Sequence, residues 1–169
     1  MALLGKGVLA IWNGMKSGYE DEFTRWHVEE HIHERVSLPG FERGRRYRAV
    51  DGHPTFFNFY ETQSVADLES PAYKDRLNNP TPWTLATVKQ FTDTSRTLCD
   101  VVISRGTGQG TFVETVAMET SLVDDAFVQR LGDALHRLAS SSGIVGLHLL
   151  RGRIGQDQAV TEEKKLRGV

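Results

Sequence analysis

The densest store of chemically useful side chains lies between residues 20 and 50. Three of the chain's six histidines, His27, His31 and His33, fall there, and Arg43, Arg45, Arg46 and Arg48 follow closely. On a helix, His27 and His31 are four residues apart and share a face with Phe23 and Glu30. An imidazole titrates near neutral pH, so His31 is a candidate general base or hydrogen-bond partner for a substrate oxygen. The other reading makes His31 a polar residue at a helix end, bonded to the backbone. The run His27-x-x-Glu30-His31 also repeats the inverted zinc-protease pattern, H-x-x-E-H. Two histidines are too few for a catalytic zinc, and the third carboxylate comes from a larger fold than this chain can hold. A looser divalent site from His27, His31 and His33 is a lesser alternative, so no metal is expected.

Along the strand that follows, Phe41, Arg43, Arg45 and Tyr47 point one way, and Glu42, Gly44, Arg46 and Arg48 the other. A buried guanidinium must be paired. Arg43 or Arg45, if enclosed, therefore needs Glu30, Glu61 or an anionic ligand; otherwise the arginines line a solvated sheet face or a dimer rim. Trp12, Asn58, Tyr60 and Trp83 can supply aromatic walls and polar handles to a pocket, or else fill the core. The candidate catalytic residues are thus His31, Arg45 and Tyr47. The candidate substrate contacts are Trp12, His27, Glu30, Arg43, Asn58 and Tyr60.

Several elements must position these groups. Residues 6–13 are apolar and β-branched and read as a buried strand. Glu20, Asp21 and Glu22 open a helix, where the dipole favours acids, and Pro39-Gly40 stops it after about Val36. Residues 41–50 and 55–61 read as strands joined by the turn Asp51-Gly52-His53-Pro54, forming a hairpin. Ser64 caps a short helix over 65–69, and Pro71 opens another turn or helix ending by Asn78. Residues 83–91 read as helix and 97–104 as strand. Arg105-Gly-Thr-Gly-Gln-Gly110 is the best internal boundary. It lacks the Lys-Ser/Thr ending of a phosphate loop.

Beyond that boundary the order of the opening returns: strand 111–119, amphipathic helix 122–138, a break at Gly143, and strand 144–150 ending in arginines. Sixteen residues follow Arg153, enough for one more strand at most. A final strand and helix are missing from the second copy, which leaves a sheet edge to be covered by a partner chain or by the first repeat.

At 169 residues and a net charge of −2, the chain has no electrostatic pull toward nucleic acid or an anionic membrane. No stretch nears the ~20 apolar residues of a membrane span, and the start lacks a signal peptide's apolar run. A single cysteine, Cys99, fits a reducing cytoplasm and reads as a small buried hydrophobe.

The helix and its break carry a further signal. Phe23-x-x-Trp26-x-x-Glu29-Glu30-His31-Ile32-x-Glu34-Arg35, then Leu38-Pro39-Gly40-Phe41 and Arg43-x-Arg45-Arg46-Tyr47, resembles the EthD-like branch of the dimeric α/β barrel superfamily. The likeness runs over residues 6–104 and is topological over 109–169. His33 departs from it, since relatives usually carry proline there. The resemblance implies an α+β, ferredoxin-like dimeric α/β barrel of two tandem repeats, 1–105 and a truncated 109–169. It also implies a homodimer and a small aromatic or polyketide-like ligand. Cofactor-free proton transfer, cyclisation or oxygenation is the expected chemistry, with no cofactor. A ligand-sequestering stress-type barrel and a haem-binding barrel are the alternatives, because this fold hosts many reactions.

Overall fold

The computed structural model describes residues 3–121, 124–153 and 161–167. The opening strand β1 (Gly7–Met15) is followed by one continuous helical run. That run is α1 (Glu20–Trp26), a wide turn (His27–His31) and α2 (Ile32–Val36). Its first turn carries Glu20, Asp21 and Glu22, as the dipole favours. The chain then reverses at Gly40, whose φ of +85° suits glycine. A Cβ there would also sit 2.3 Å from Asp67 Cγ.

β2 (Phe41–Arg48) and β3 (Phe56–Thr62) pair antiparallel, forming the expected hairpin. Ser64 and Asp67 form a reciprocal capping box on the 3-10 turn Val65–Glu69. α3 (Pro71–Asn78) and α4 (Pro82–Val88) both start on a proline, with Ser70 and Thr81 as side-chain caps. The strand β4 (Phe91–Gly106) begins well before residue 97 and replaces the end of the helix expected over 83–91. α5 (Asp125–Leu138) matches the second predicted helix, except that Leu122 lies outside the described residues. β5 (Gly146–Gly152) follows the Gly143 break.

The sheet order is β2-β3-β1-β4-β5, antiparallel throughout. The first four strands, with helices after β1 and β3, make the βαββαβ ferredoxin-like unit. β5 joins the same sheet beside β4 rather than founding another. One expectation fails here. Residues 111–119 form no strand: Phe112, Val116 and Met118 stand exposed, because strand propensity without a neighbour supplies no ladder bonds. Of the residues after Arg153, Glu162–Arg167 form the short helix α6.

Both faces of the sheet are apolar. On the helix side, Leu9, Ile11, Tyr60 and Leu98 pack against Val65, Leu68, Tyr73 and Leu77. Phe23, Trp26, Phe56 and Val88 continue that layer toward α4. On the other side, Val8, Ala10, Phe59 and Cys99 are buried with Leu3, beside half-buried Trp12, Phe57, Val101 and Leu150. Burial pushes the Cys99 thiol up to about 11, which fits an inert packing residue. Among the described residues, no helix is long and apolar enough to cross a membrane.

Candidate functional site

The wide turn in the long helix is where the chemistry collects. The backbone N–H of Ile32 bonds to the carbonyl of His27, five residues back, so His27–His31 is a π turn inside an α-helix. Such turns accommodate one extra residue and recur at functional sites. This one aims His27, His31 and Arg35 at the sheet: they are 1%, 3% and 2% exposed. Val28, on the opposite side, is half exposed.

The imidazoles lie in an aromatic nest. The His31 ring sits 4.2 Å from the Trp26 ring and 5.6 Å from that of His27. Tyr60 Oη, from β3, is 2.8 Å from His27 Nε2. Gly44 on β2 makes room for this tyrosine: a Cβ there would meet the Tyr60 ring at 2.9 Å. Glu30 turns away toward α4. Its Oε1 accepts from Thr81 Oγ1 at 2.6 Å, and from Trp26 Nε1 and Thr84 Oγ1 at 3.2 Å each. That commitment takes Glu30 out of the H-x-x-E-H arrangement and away from a substrate.

Beside the nest lies a cavity of about 10 Å³, roughly one water's worth. Leu9 and Ile11 form its apolar side, and His31, Arg35, Tyr60, Tyr73, Arg96 and Glu163 its polar wall. Arg96 Nη2 donates to Tyr73 Oη at 3.1 Å, and Arg35 Nη2 donates to Glu163 Oε2 at 2.5 Å. Both guanidinium groups lie within 6 Å of the Tyr73 ring centre, at 5.8 and 5.9 Å. Burial alone would lower the Arg35 pKa, but Glu163, Tyr73 and Tyr60 outweigh it and hold the pKa above its ordinary value. Arg35 is therefore a permanent buried cation.

The predicted site residues divide between the two faces of the sheet. His27, His31, Asn58 and Tyr60 lie on the helix side. Asn58 Nδ2 donates to Asn13 Oδ1 at 2.8 Å, a β3–β1 link away from the cavity wall. Trp12, Arg43, Arg45 and Tyr47 lie on the other side. The register pairs Arg45 with Phe59 and Tyr47 with Phe57, while Gly44 faces Tyr60, so alternation separates them from His31. A site joining His31 to Arg45 and Tyr47 is thus not assembled within the chain. Nor does His31 look between two sheets: it faces the layer between helix and sheet.

The far face has its own charged centre. Glu61, fully buried, accepts from Arg43 Nε at 2.8 Å, Arg43 Nη2 at 3.0 Å, Arg45 Nη2 at 2.7 Å and the Leu4 N–H at 2.7 Å. The sequence argument that Arg43 or Arg45 needs Glu61 holds. Tyr47 and Trp12 both stack on Phe57, at 6.1 and 4.8 Å. His148, 3.0 Å from Ser104 Oγ through Nδ1, is held below its ordinary pKa by burial first and Arg45 second. The folded chain therefore resists protonating it, whereas the unfolded chain takes that proton near pH 6.5. Stability is full above about pH 6.5 and falls as pH drops toward the depressed folded value. His148→Gln should flatten the melting temperature between about pH 7.5 and 5. An unchanged slope in thermal melts would refute the assignment.

The cavity brings in Arg35, Tyr73, Arg96 and Glu163, none of them a sequence candidate. Arg35 carried a readable signal, four residues after His31 on the same face. Arg96 lay in a stretch assigned to no element. Glu163 is 128 residues from its partner, and no local pattern announces it.

No protein-family model matches this sequence, and no curated protein matches it by sequence. Among the solved structures similar to it are the following two. One is a candidate monooxygenase from Fusobacterium nucleatum, 12% identical, with a TM-score of 0.51 over 89% of this chain and 71% of that one. The other is the heme-degrader MhuD from Mycobacterium tuberculosis, with two hemes bound in its active site. It is 18% identical, with a TM-score of 0.45 over 57% of this chain and 96% of that one. The first shares the ferredoxin-like α+β fold.

Proposed function

We propose that the chain binds a small aromatic or polyketide-like molecule between its long helix and its sheet, with His31 as proton acceptor in cofactor-free chemistry. One observation carries this reading: a buried imidazole, packed at a tilt on Trp26, forms part of the wall of a cavity that two arginines also line. The division of labour follows. Tyr60 and Tyr73, which line the cavity, offer aromatic surface to a planar ligand, and Trp26 backs His31. His31 takes a phenolic or enolic proton. Arg35 and Arg96 stabilise the oxyanion left behind, in a site from which water is largely excluded. Proton transfer, cyclisation and oxygenation all begin with such an anion. The EthD-like likeness of residues 23–47 belongs to this proposal.

The proposal includes a homodimer in which a second copy covers the far face, where Trp12 and Phe57 remain half-buried. It also treats 109–169 as a shortened second repeat. α5, Gly143 at φ +89° and β5 repeat the order of the first helix, Gly40 at φ +85° and β2.

The test follows the His31 imidazole by NMR during titration with small phenols and aromatic acids. A saturable shift is expected, and His31→Gln should lower turnover of any converted ligand by about 10²–10⁴-fold. An imidazole signal that no ligand moves would end the proposal. The small cavity favours a second reading, non-catalytic sequestration: binding persists and no ligand is converted. Haem addition to the same sample distinguishes a third outcome, a Soret band that shifts in His31→Gln.

A further inference from the structure

We infer that Arg35 is the recognition point for the carboxylate of a small organic acid, and that Glu163 of α6 occupies this point as an internal stand-in. The inference rests on the reading that the helix–sheet layer takes a small molecule, and it names that molecule's anchoring group.

The placement of Glu163 is unusual for its element. α6 has six residues, and its neighbours Glu162 and Lys165 are exposed. Yet Glu163 is 1% exposed, driven into the cavity wall beside His31 and Tyr73. A carboxylate leaves water this completely only against a strong partner. That partner is Arg35, itself 2% exposed and fixed on the long helix. Removing Glu163 would leave a guanidinium stranded in an apolar layer, so the site demands an anion whether or not α6 is in place.

The geometry of the pair shows what a better occupant would do. Glu163 engages Arg35 through one nitrogen, Nη2. Nη1 is equally enclosed and has no hydrogen-bond partner among the described residues. A guanidinium is built to grip a carboxylate with two parallel bonds. A free carboxylate, untethered to a helix, can take both nitrogens where the tethered one takes one. The charge balance points the same way. Arg35, Arg96 and His31 line the same wall as Glu163, so an entering carboxylate would meet a basic surface. Glu34, next to Arg35 in sequence, is held by Arg76 instead, at 3.1 Å.

The stand-in sits on a six-residue helix. Buried Thr161 precedes it, and its carbonyl accepts the Lys165 N–H in the helix's own first turn at 3.0 Å. Half-buried Leu166 packs beside the Trp26 cluster, and the Glu162 N–H reaches Asn78 Oδ1 at 3.4 Å. A ligand acid competes with a short helix, not with a core element. Its ring would take the apolar side of Leu9 and Ile11, and the departing helix would enlarge a cavity otherwise fit for one water.

The experiment uses the full chain with benzoate as probe and benzamide as its neutral counterpart. Removing the internal competitor with Glu163→Gln should tighten benzoate binding at least ten-fold while leaving benzamide unchanged. The double variant Arg35→Gln/Glu163→Gln should lose that gain. In the wild type, saturating benzoate should speed amide exchange in residues 162–167, a readout that stands even if Glu163→Gln fails to fold. Unchanged benzoate affinity in Glu163→Gln, or unaltered exchange in α6, overturns the inference. If benzamide and benzoate move the His31 signal equally, carboxylate recognition fails while the small-molecule reading survives. If neither binds any variant, both fall.

Discussion

Replacing Glu61 with alanine is expected to destabilise the fold by about 3–5 kcal/mol, the range for removing one partner of a buried ion pair. The carboxylate has no exposed surface and takes four hydrogen bonds, two from Arg43, one from Arg45 and one from the Leu4 N–H. Without it, two guanidinium groups sit on one sheet face with no anion between them. Their side chains keep about one-fifth of their exposure, 21% and 20%, so water recovers part of the loss. That places the effect toward the lower end. Glu61→Gln keeps the shape and some of the bonds and should lose less. Arg45→Met should lose least, because Arg43 still holds the carboxylate with two nitrogens and only one bond to Glu61, with the guanidinium contact on Phe59, is given up. Urea melts of the three variants test the order. A Glu61→Ala loss below about 1 kcal/mol would mean the cluster is a surface pair and not a buried one. Since a domain's whole stability is about 5–15 kcal/mol, the difference is easily resolved.

Residues with a local cause were readable in advance. β1 declared itself by its β-branched run, the long helix by its acidic first turn and its Pro-Gly stop, and the β2–β3 hairpin by strand formers around a turn. The pairing of Glu61 with the arginines followed from the rule that enclosed charges need partners. What could not be read depended on neighbours remote in sequence. Residues 91–96 are polar and lack a clean period; they become strand because Met15 and Gly14 lie beside Phe91 and Thr92. Residues 111–119 carry strand propensity and find no strand beside them. His31 and Arg45 were both fair candidates, and alternation along β2 told which arginines share a face. It did not tell which face of the sheet the helix covers. That choice, made by the packing of Leu9, Ile11 and Tyr60, moved the cavity away from Arg45 and toward Arg35. The π turn is invisible for a different reason: one extra residue in a helix leaves flanking caps and composition intact.

Trp26 tests whether that helix–sheet layer is held from below the histidines. The residue is fully buried, its ring packs at a tilt against His31, and its Nε1 donates to Glu30 Oε1 and Thr84 Oγ1, each at 3.2 Å. Trp26→Ala removes the largest side chain in the cluster and is expected to cost about 3–5 kcal/mol, as for other aromatic truncations in cores. Trp26→Phe is the informative variant. It keeps a ring against His31 but removes the indole donor, leaving Glu30 to the two threonines. A half-buried carboxylate that loses one donor should lose about 1 kcal/mol. The two variants also separate support from contact. In Trp26→Phe the His31 imidazole should keep its NMR environment while the melt shifts; in Trp26→Ala both should change, because the ring that fixes the imidazole plane is gone. If Trp26→Phe melts like the wild type, Thr81 and Thr84 alone hold Glu30. The link from the π turn to α4 then runs through hydroxyls, not through the indole.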